Sequence, residues 1–124
     1  MSYKKLEIWI LAGEVVLDIH EMTFQLPKFK MYEEGSQIRK SSKNVKATIV
    51  EGYGRKIYKA EYLKFLVYSM ASNDETKDHL ENLYGTKSLQ DHTLYNGLHE
   101  KIERLGKMIR NYYLWVEQNH NPSL

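Results

Sequence analysis

Residues 36–66 read SQIRKSSKNVKATIVEGYGRKIYKAEYLKFL, and this stretch decides how the rest of the chain is read. Its first part places Ile38, Ser41/Ser42, Val45 and Thr48/Ile49 at three- to four-residue intervals, the period of one helical face. Gly52 and Gly54 then interrupt, and glycine permits the backbone conformations that end a helix. After Tyr58 the period resumes as Tyr62, Phe65/Leu66, Ser69, Ser72/Asn73, Thr76, Leu80 and Leu83. Two long helices joined by so short a turn become antiparallel neighbours.

The flanking sequence extends the pattern. Upstream, Leu6, Trp9/Ile10, Gly13, Val16/Leu17, His20 and Phe24 share a face of a helix expected over about 3–25. Pro27 should end it, because a residue before proline is pushed out of the helical region. The second helix is expected over 33–51, with Glu33 and Glu34 near the positive end of its dipole. The third spans 58–84, with Gly85 as its stop. The fourth spans 89–118, introduced by Ser88-x-x-Asp91 as a capping box with Asp in place of Glu or Gln. Its face runs through Leu94, Leu98, Ile102, Leu105, Met108/Ile109, Tyr112 and Trp115/Val116, and the polar tail Asn119-His120-Asn121-Pro122 ends it. No segment alternates with period two. The expected fold class is all-α, an up-down-up-down antiparallel four-helix bundle occupying 1–124 as one domain.

Composition narrows the chemistry. The 124 residues include no cysteine, which removes disulfides, thiolate metal sites and cysteine nucleophiles together and fits a reducing cytoplasm. Glu7, Glu14 and Asp18 break the apolar run near the N-terminus, so neither export nor a membrane span is expected. The formal net charge of +2 conceals an uneven distribution. Residues 36–64 hold eight cations (Arg39, Lys40, Lys43, Lys46, Arg55, Lys56, Lys59, Lys64) against Glu51 and Glu61. Residues 65–103 hold seven acids against three lysines. Such regions attract each other between copies or recruit a polyanion.

Catalytic and metal motifs are missing. A di-iron bundle needs two Glu-x-x-His pairs, and the sole one here is Glu117–His120 at the C-terminal end. No serine or histidine lies in a recognisable nucleophile motif. Gly52-Tyr53-Gly54-Arg55-Lys56 lacks the phosphate-loop frame and follows no strand. The polar stripe Ser69, Ser72, Asn73, Thr76 reads most simply as a register-fixing buried network. No metal, no cofactor and no enzymatic activity are expected.

Three motifs, Ser36-Gln37-Ile38-Arg39-Lys40, Glu51-Gly52-Tyr53-Gly54-Arg55 and Tyr62-Leu63-Lys64-Phe65-Leu66, resemble the signature of the 23S ribosomal RNA intervening-sequence protein family. The resemblance extends to Tyr3-Lys4-Lys5-Leu6-Glu7 at the start and Trp115-Val116-Glu117-Gln118-Asn119-His120 at the end. It implies a four-helix bundle assembled into a homopentameric ring, in a family tied to ribosomal RNA loci and to accessory proteins of reverse transcriptases. Lys46 stands where many members carry proline, so the second helix should run straight. The small side chains Ser41, Ser42, Ala47 and Thr48 supply little burial, which also suggests help from a neighbouring copy.

The basic cluster is the candidate site. Arg39, Lys43 and Lys46 form one helical stripe with Lys40 beside it, placed to neutralise phosphates. Arg55, Lys56 and Lys59 extend the path, and Tyr53 or Tyr58 would stack on unpaired bases. The expectation is a non-enzymatic RNA-associated scaffold, with RNA or a nucleic-acid-processing protein as partner. The alternative is a protein-interaction module whose charged faces serve assembly or docking. A small-molecule-binding bundle with a pocket near Asn73 is a third reading.

Overall fold

In the computed structural model, which describes residues 2–121, four long helices and one short one account for most of the described residues. They are α1 (Glu7–Thr23), α2 (Lys28–Tyr32), α3 (Glu34–Tyr53), α4 (Lys59–Gly85) and α5 (His92–Asn119). No strand occurs among the described residues. α1 and α4 each pack against both α3 and α5, so they occupy diagonal corners of a square bundle. Cross-helix bonds pair early with late residues, Ser41 with Thr76 and Thr48 with Ser69, then Tyr62 with Tyr112 and Asn73 with Ile102. This is the up-down-up-down order.

The expected core faces of α3, α4 and α5 are the buried ones, except that Trp115 at the end of α5 is 45% exposed while Val116 beside it is buried. Ile38, Val45 and Ile49 of α3 meet Leu66, Leu80 and Leu83 of α4 and Leu98, Ile102, Leu105 and Ile109 of α5. The face expected for α1 is not its core face. Ile8, Leu11, Ala12, Val15, Ile19 and Met22 are buried, while Ile10, Leu17 and Phe24 lie in solvent. α1 is apolar on more than one side, so periodicity found a real stripe and chose the outer one.

α3 and α4 meet through hydroxyls and an amide as well as through aliphatic contacts. Ser41 Oγ and Thr76 Oγ1 lie 2.8 Å apart, Asn44 Nδ2 donates to Ser72 Oγ at 2.6 Å, and Thr48 Oγ1 and Ser69 Oγ are 2.6 Å apart. Small side chains let the backbones approach, and Ser41, Thr48, Ser69 and Thr76 also bond backbone carbonyls, so the buried hydroxyls form one connected network. The thin face of α3 is thus covered by α4 of the same chain. Asn73, 3% exposed, donates Nδ2 to Ile102 O at 2.9 Å, and its Oδ1 has no partner among the described residues.

Several boundaries differ from expectation. Residues 3–5 form a 3-10 turn, in which Ser2 Oγ accepts from Lys4 N, and α1 begins only at Glu7. Pro27 does not stop α1, which ends at Thr23; it precedes α2 and its carbonyl accepts from Met31 N, converting the expected connection into one helical turn. No glycine among the described residues has positive φ. Gly52 is a buried helical residue, where a Cβ would meet Phe65 Cβ at 2.9 Å; it serves close packing of α3 on α4 rather than a reversal of the chain. Gly85 is the last residue of α4, and Lys87, at φ 63, makes the left-handed turn. Asp91, not Ser88, caps α5, its carboxylate accepting from Leu94 N at 3.0 Å. Of the expected C-terminal stop, Asn119 closes α5, and Pro122 lies outside the described residues.

Candidate nucleic-acid interface

α3 carries Arg39, Lys40, Lys43 and Lys46 on its outer surface, but its neighbours divide them. Arg39 leans toward α2, where Nη2 donates to Met31 O at 3.1 Å and fixes that short helix. Lys46 leans toward α1, its ammonium 4.7 Å from the centre of the Trp9 ring. Both are half-buried cations holding the fold together. Lys40 and Lys43 are exposed and form no ion pair within the described residues.

These two lysines edge a groove of about 760 Å³ running between α3 and α4 beside the hydroxyl ladder. Gln37, Asn44 and Ala47 complete its α3 wall, and Ser72, Glu75 and His79 form the α4 wall. His79 sits between two carboxylates, with Nδ1 3.0 Å from Glu34 Oε2 and Nε2 3.2 Å from Glu75 Oε2. Asn82 Nδ2 also donates to Glu34 Oε2 at 3.3 Å, so the start of α3 is tied to α4 at the groove's end. One wall carries two lysines and the other a carboxylate, an imidazole and a hydroxyl. Glu75 and His79 are i,i+4 neighbours legible in the sequence, whereas Glu34 joins them only when α3 lies on α4.

The second cationic group sits at the α3–α4 turn. The Arg55 guanidinium lies 4.4 Å from the centre of the Phe65 ring and donates through Nη1 to Glu51 O at 3.0 Å, yet the residue stays exposed. Lys56 is engaged on both sides: Nζ donates to Tyr53 Oη at 2.9 Å, and its carbonyl accepts from His120 Nε2 at 2.7 Å. Tyr53 is 9% exposed and packs edge-on against Tyr62, so its ring has no open face for a base. Tyr58 is 64% exposed and lies beside exposed Lys59. The nine sequence candidates thus separate into fold-holding residues (Arg39, Lys46, Tyr53, Lys56) and surface-available ones (Lys40, Lys43, Arg55, Tyr58, Lys59).

Beneath the turn, Tyr62 and Tyr112 share a hydrogen bond of 2.7 Å between their phenol oxygens. Burial, reinforced by that bond, raises the Tyr62 pKa far above the ordinary phenol range. Burial also raises Tyr112, against a lowering by the same bond. This neutral, apolar floor supports the charged turn above it. Among the described residues no three His, Asp or Glu side chains converge on a common point that could hold a metal ion. None of the described helices is long and apolar enough to cross a membrane.

No curated protein matches the chain. A family does: residues 4–111, from the N-terminal turn through most of α5, match the 23S rRNA-intervening sequence proteins. The chain belongs to the 23S rRNA-intervening sequence protein family.

Proposed function

We propose that this protein is a non-enzymatic cytoplasmic scaffold that binds structured RNA through exposed cations and acts as a homo-oligomer, a pentameric ring. The observation that carries the reading is the pair Lys40 and Lys43, exposed, without ion-pair partners among the described residues, and set along a groove of about 760 Å³. Arg55, Lys59 and the open Tyr58 ring at the α3–α4 turn prolong this surface. Phosphate neutralisation supplies affinity without base selectivity, and a ring multiplies a modest patch by avidity. Ile10, Leu17 and Phe24 on the outer side of α1 supply apolar surface for assembly.

The test is fluorescence anisotropy of a labelled structured RNA across a salt series, with mass by light scattering in parallel. Micromolar binding that weakens steeply with salt is expected. Lys40→Glu with Lys43→Glu should abolish it while leaving the oligomer intact, whereas Lys40→Ala with Lys43→Ala should lower the log–log salt slope by about 1.4, or roughly 0.7 for each lost phosphate contact. Arg39 and Lys46 are poor probes because their substitution disturbs α2 and α1. The second reading, a protein-docking module, draws on Glu75 facing the lysines across the groove. Absence of RNA binding at low salt by an intact oligomer decides for it.

A further inference from the structure

The exposed residues of α1 follow a seven-residue repeat. Ile10, Leu17 and Phe24 are 49%, 67% and 62% exposed, one below another along the helix. Glu7, Glu14 and Glu21 repeat at the same interval beside them. None of the three glutamates has an ion-pair partner among the described residues. The outer face of α1 is therefore an apolar seam bordered by an unpaired acidic row, the pattern of a helix that docks against another surface.

The complementary surface lies between α4 and α5. A groove of about 320 Å³ there is lined by Met70, Lys77, Gly106, Lys107 and Arg110 over Asn73 and Ile102, with Asp74 and Glu103 also in its lining, so three cations stand against two carboxylates. Val67, one turn before Met70, and Leu114, one turn after Arg110, continue its two walls, and each is 44% exposed. Lys107 and Arg110 have no ion-pair partner among the described residues, and Lys77 reaches Glu103 only at 4.0 Å. Gly106 puts no side chain above Asn73, which keeps the floor open.

We infer that the α1 seam of one copy docks in the α4–α5 groove of the next, with Glu7, Glu14 and Glu21 facing Lys77, Lys107 and Arg110. The inference rests on the oligomer reading above and assigns its two faces. α1 and α4 occupy diagonal corners, so a chain cannot satisfy its own groove, and the contact joins unlike faces of two copies, running head to tail unless the two meet reciprocally in a two-fold dimer. A heterologous contact of this kind closes into a ring when its rotation permits. Symmetric pairing of two α1 helices would bring two glutamate rows together, which like-charge repulsion opposes.

The experiment uses the full chain at about 10 μM, a concentration at which a standard interface stays associated, with masses from light scattering. Leu17→Glu removes the seam and Lys107→Glu with Arg110→Glu inverts the groove. Each variant alone should fail to assemble. Mixed one to one, they should form a discrete dimer of twice the 14.7 kDa subunit, since one intact seam meets one intact groove. A wild type that is monomeric overturns the oligomer reading and this inference with it. An assembled wild type whose groove variant also assembles overturns only the assignment of the groove, and a mixture with no dimer does the same for the pairing. Circular dichroism verifies folding, and Ile10→Lys replaces Leu17→Glu if that variant melts early.

Discussion

Substituting alanine at Gly52 and at Gly54 separates two readings of the Glu-Gly-Tyr-Gly-Arg segment. A turn motif needs both glycines for backbone freedom, whereas a packing motif needs only the one pressed against α4. At Gly52 the new methyl would lie 2.9 Å from Phe65 Cβ and 3.4 Å from Tyr62 Cδ1. Carbon atoms settle at about 3.5–4.0 Å, so α4 must retreat by about 0.6–1 Å beside Phe65. Phe65 Cβ is fixed to the α4 backbone and cannot swing aside as a flexible chain end would. Overpacking of this kind costs about 1–3 kcal/mol, offset by up to about 1 kcal/mol of helix propensity gained over glycine. The net loss is about 1 kcal/mol. At Gly54 the nearest atoms are the Glu51 and Val50 carbonyl oxygens at 3.6 Å, and φ is −64°, so alanine fits without strain. A gain of about 0.5 kcal/mol is expected there from the stiffer unfolded chain. For a chain of this size the two variants should melt about 5 °C apart, Gly52→Ala lower. Thermal unfolding followed by circular dichroism at one fixed protein concentration measures this, because assembly makes the midpoint depend on concentration. Equal midpoints, or a more stable Gly52→Ala, would refute the close-packing argument.

Three further outcomes are expected. Raised phenol pKa values mean that Tyr62 and Tyr112 keep their protons where an unfolded chain ionises; their stabilisation is full below about pH 10 and declines as pH rises beyond it toward the folded values. Phenolate absorbance during an alkaline titration should show at least these two silent until the protein unfolds, and complete ionisation before unfolding would contradict their burial. Asp91→Ala should cost about 1 kcal/mol in denaturant melts through loss of the Leu94 N–H cap, while Ser88→Ala should cost almost nothing. Asn73→Leu loses the bond to Ile102 but also removes an unpaired buried oxygen, so stability should change by less than about 1 kcal/mol. A loss of several kcal/mol would mean that the oxygen has a bound partner, and thermal stabilisation by a metabolite, absent in the variant, would favour the small-molecule reading.

The four helices and three of their buried faces were legible in the sequence, because one apolar stripe among polar residues has a single way to face inward. On α3, α4 and α5 the period of 3.6 therefore named the core residues. On α1 it could not, since Ile8, Leu11 and Val15 compete with Ile10, Leu17 and Phe24 on a helix apolar around much of its circumference. Only packing against α3 and α5 selects between them. Charge shows the same division. Sequence determines that eight cations crowd residues 36–64. Tertiary structure decides that Arg39 and Lys46 are bound to α2 and α1 while Lys40 and Lys43 remain open, because a side chain's partners come from helices distant along the chain. Gly52 is the sharpest instance: its identity was plain in the sequence, but its purpose is set by the atoms of Phe65, thirteen residues away and across a helix boundary.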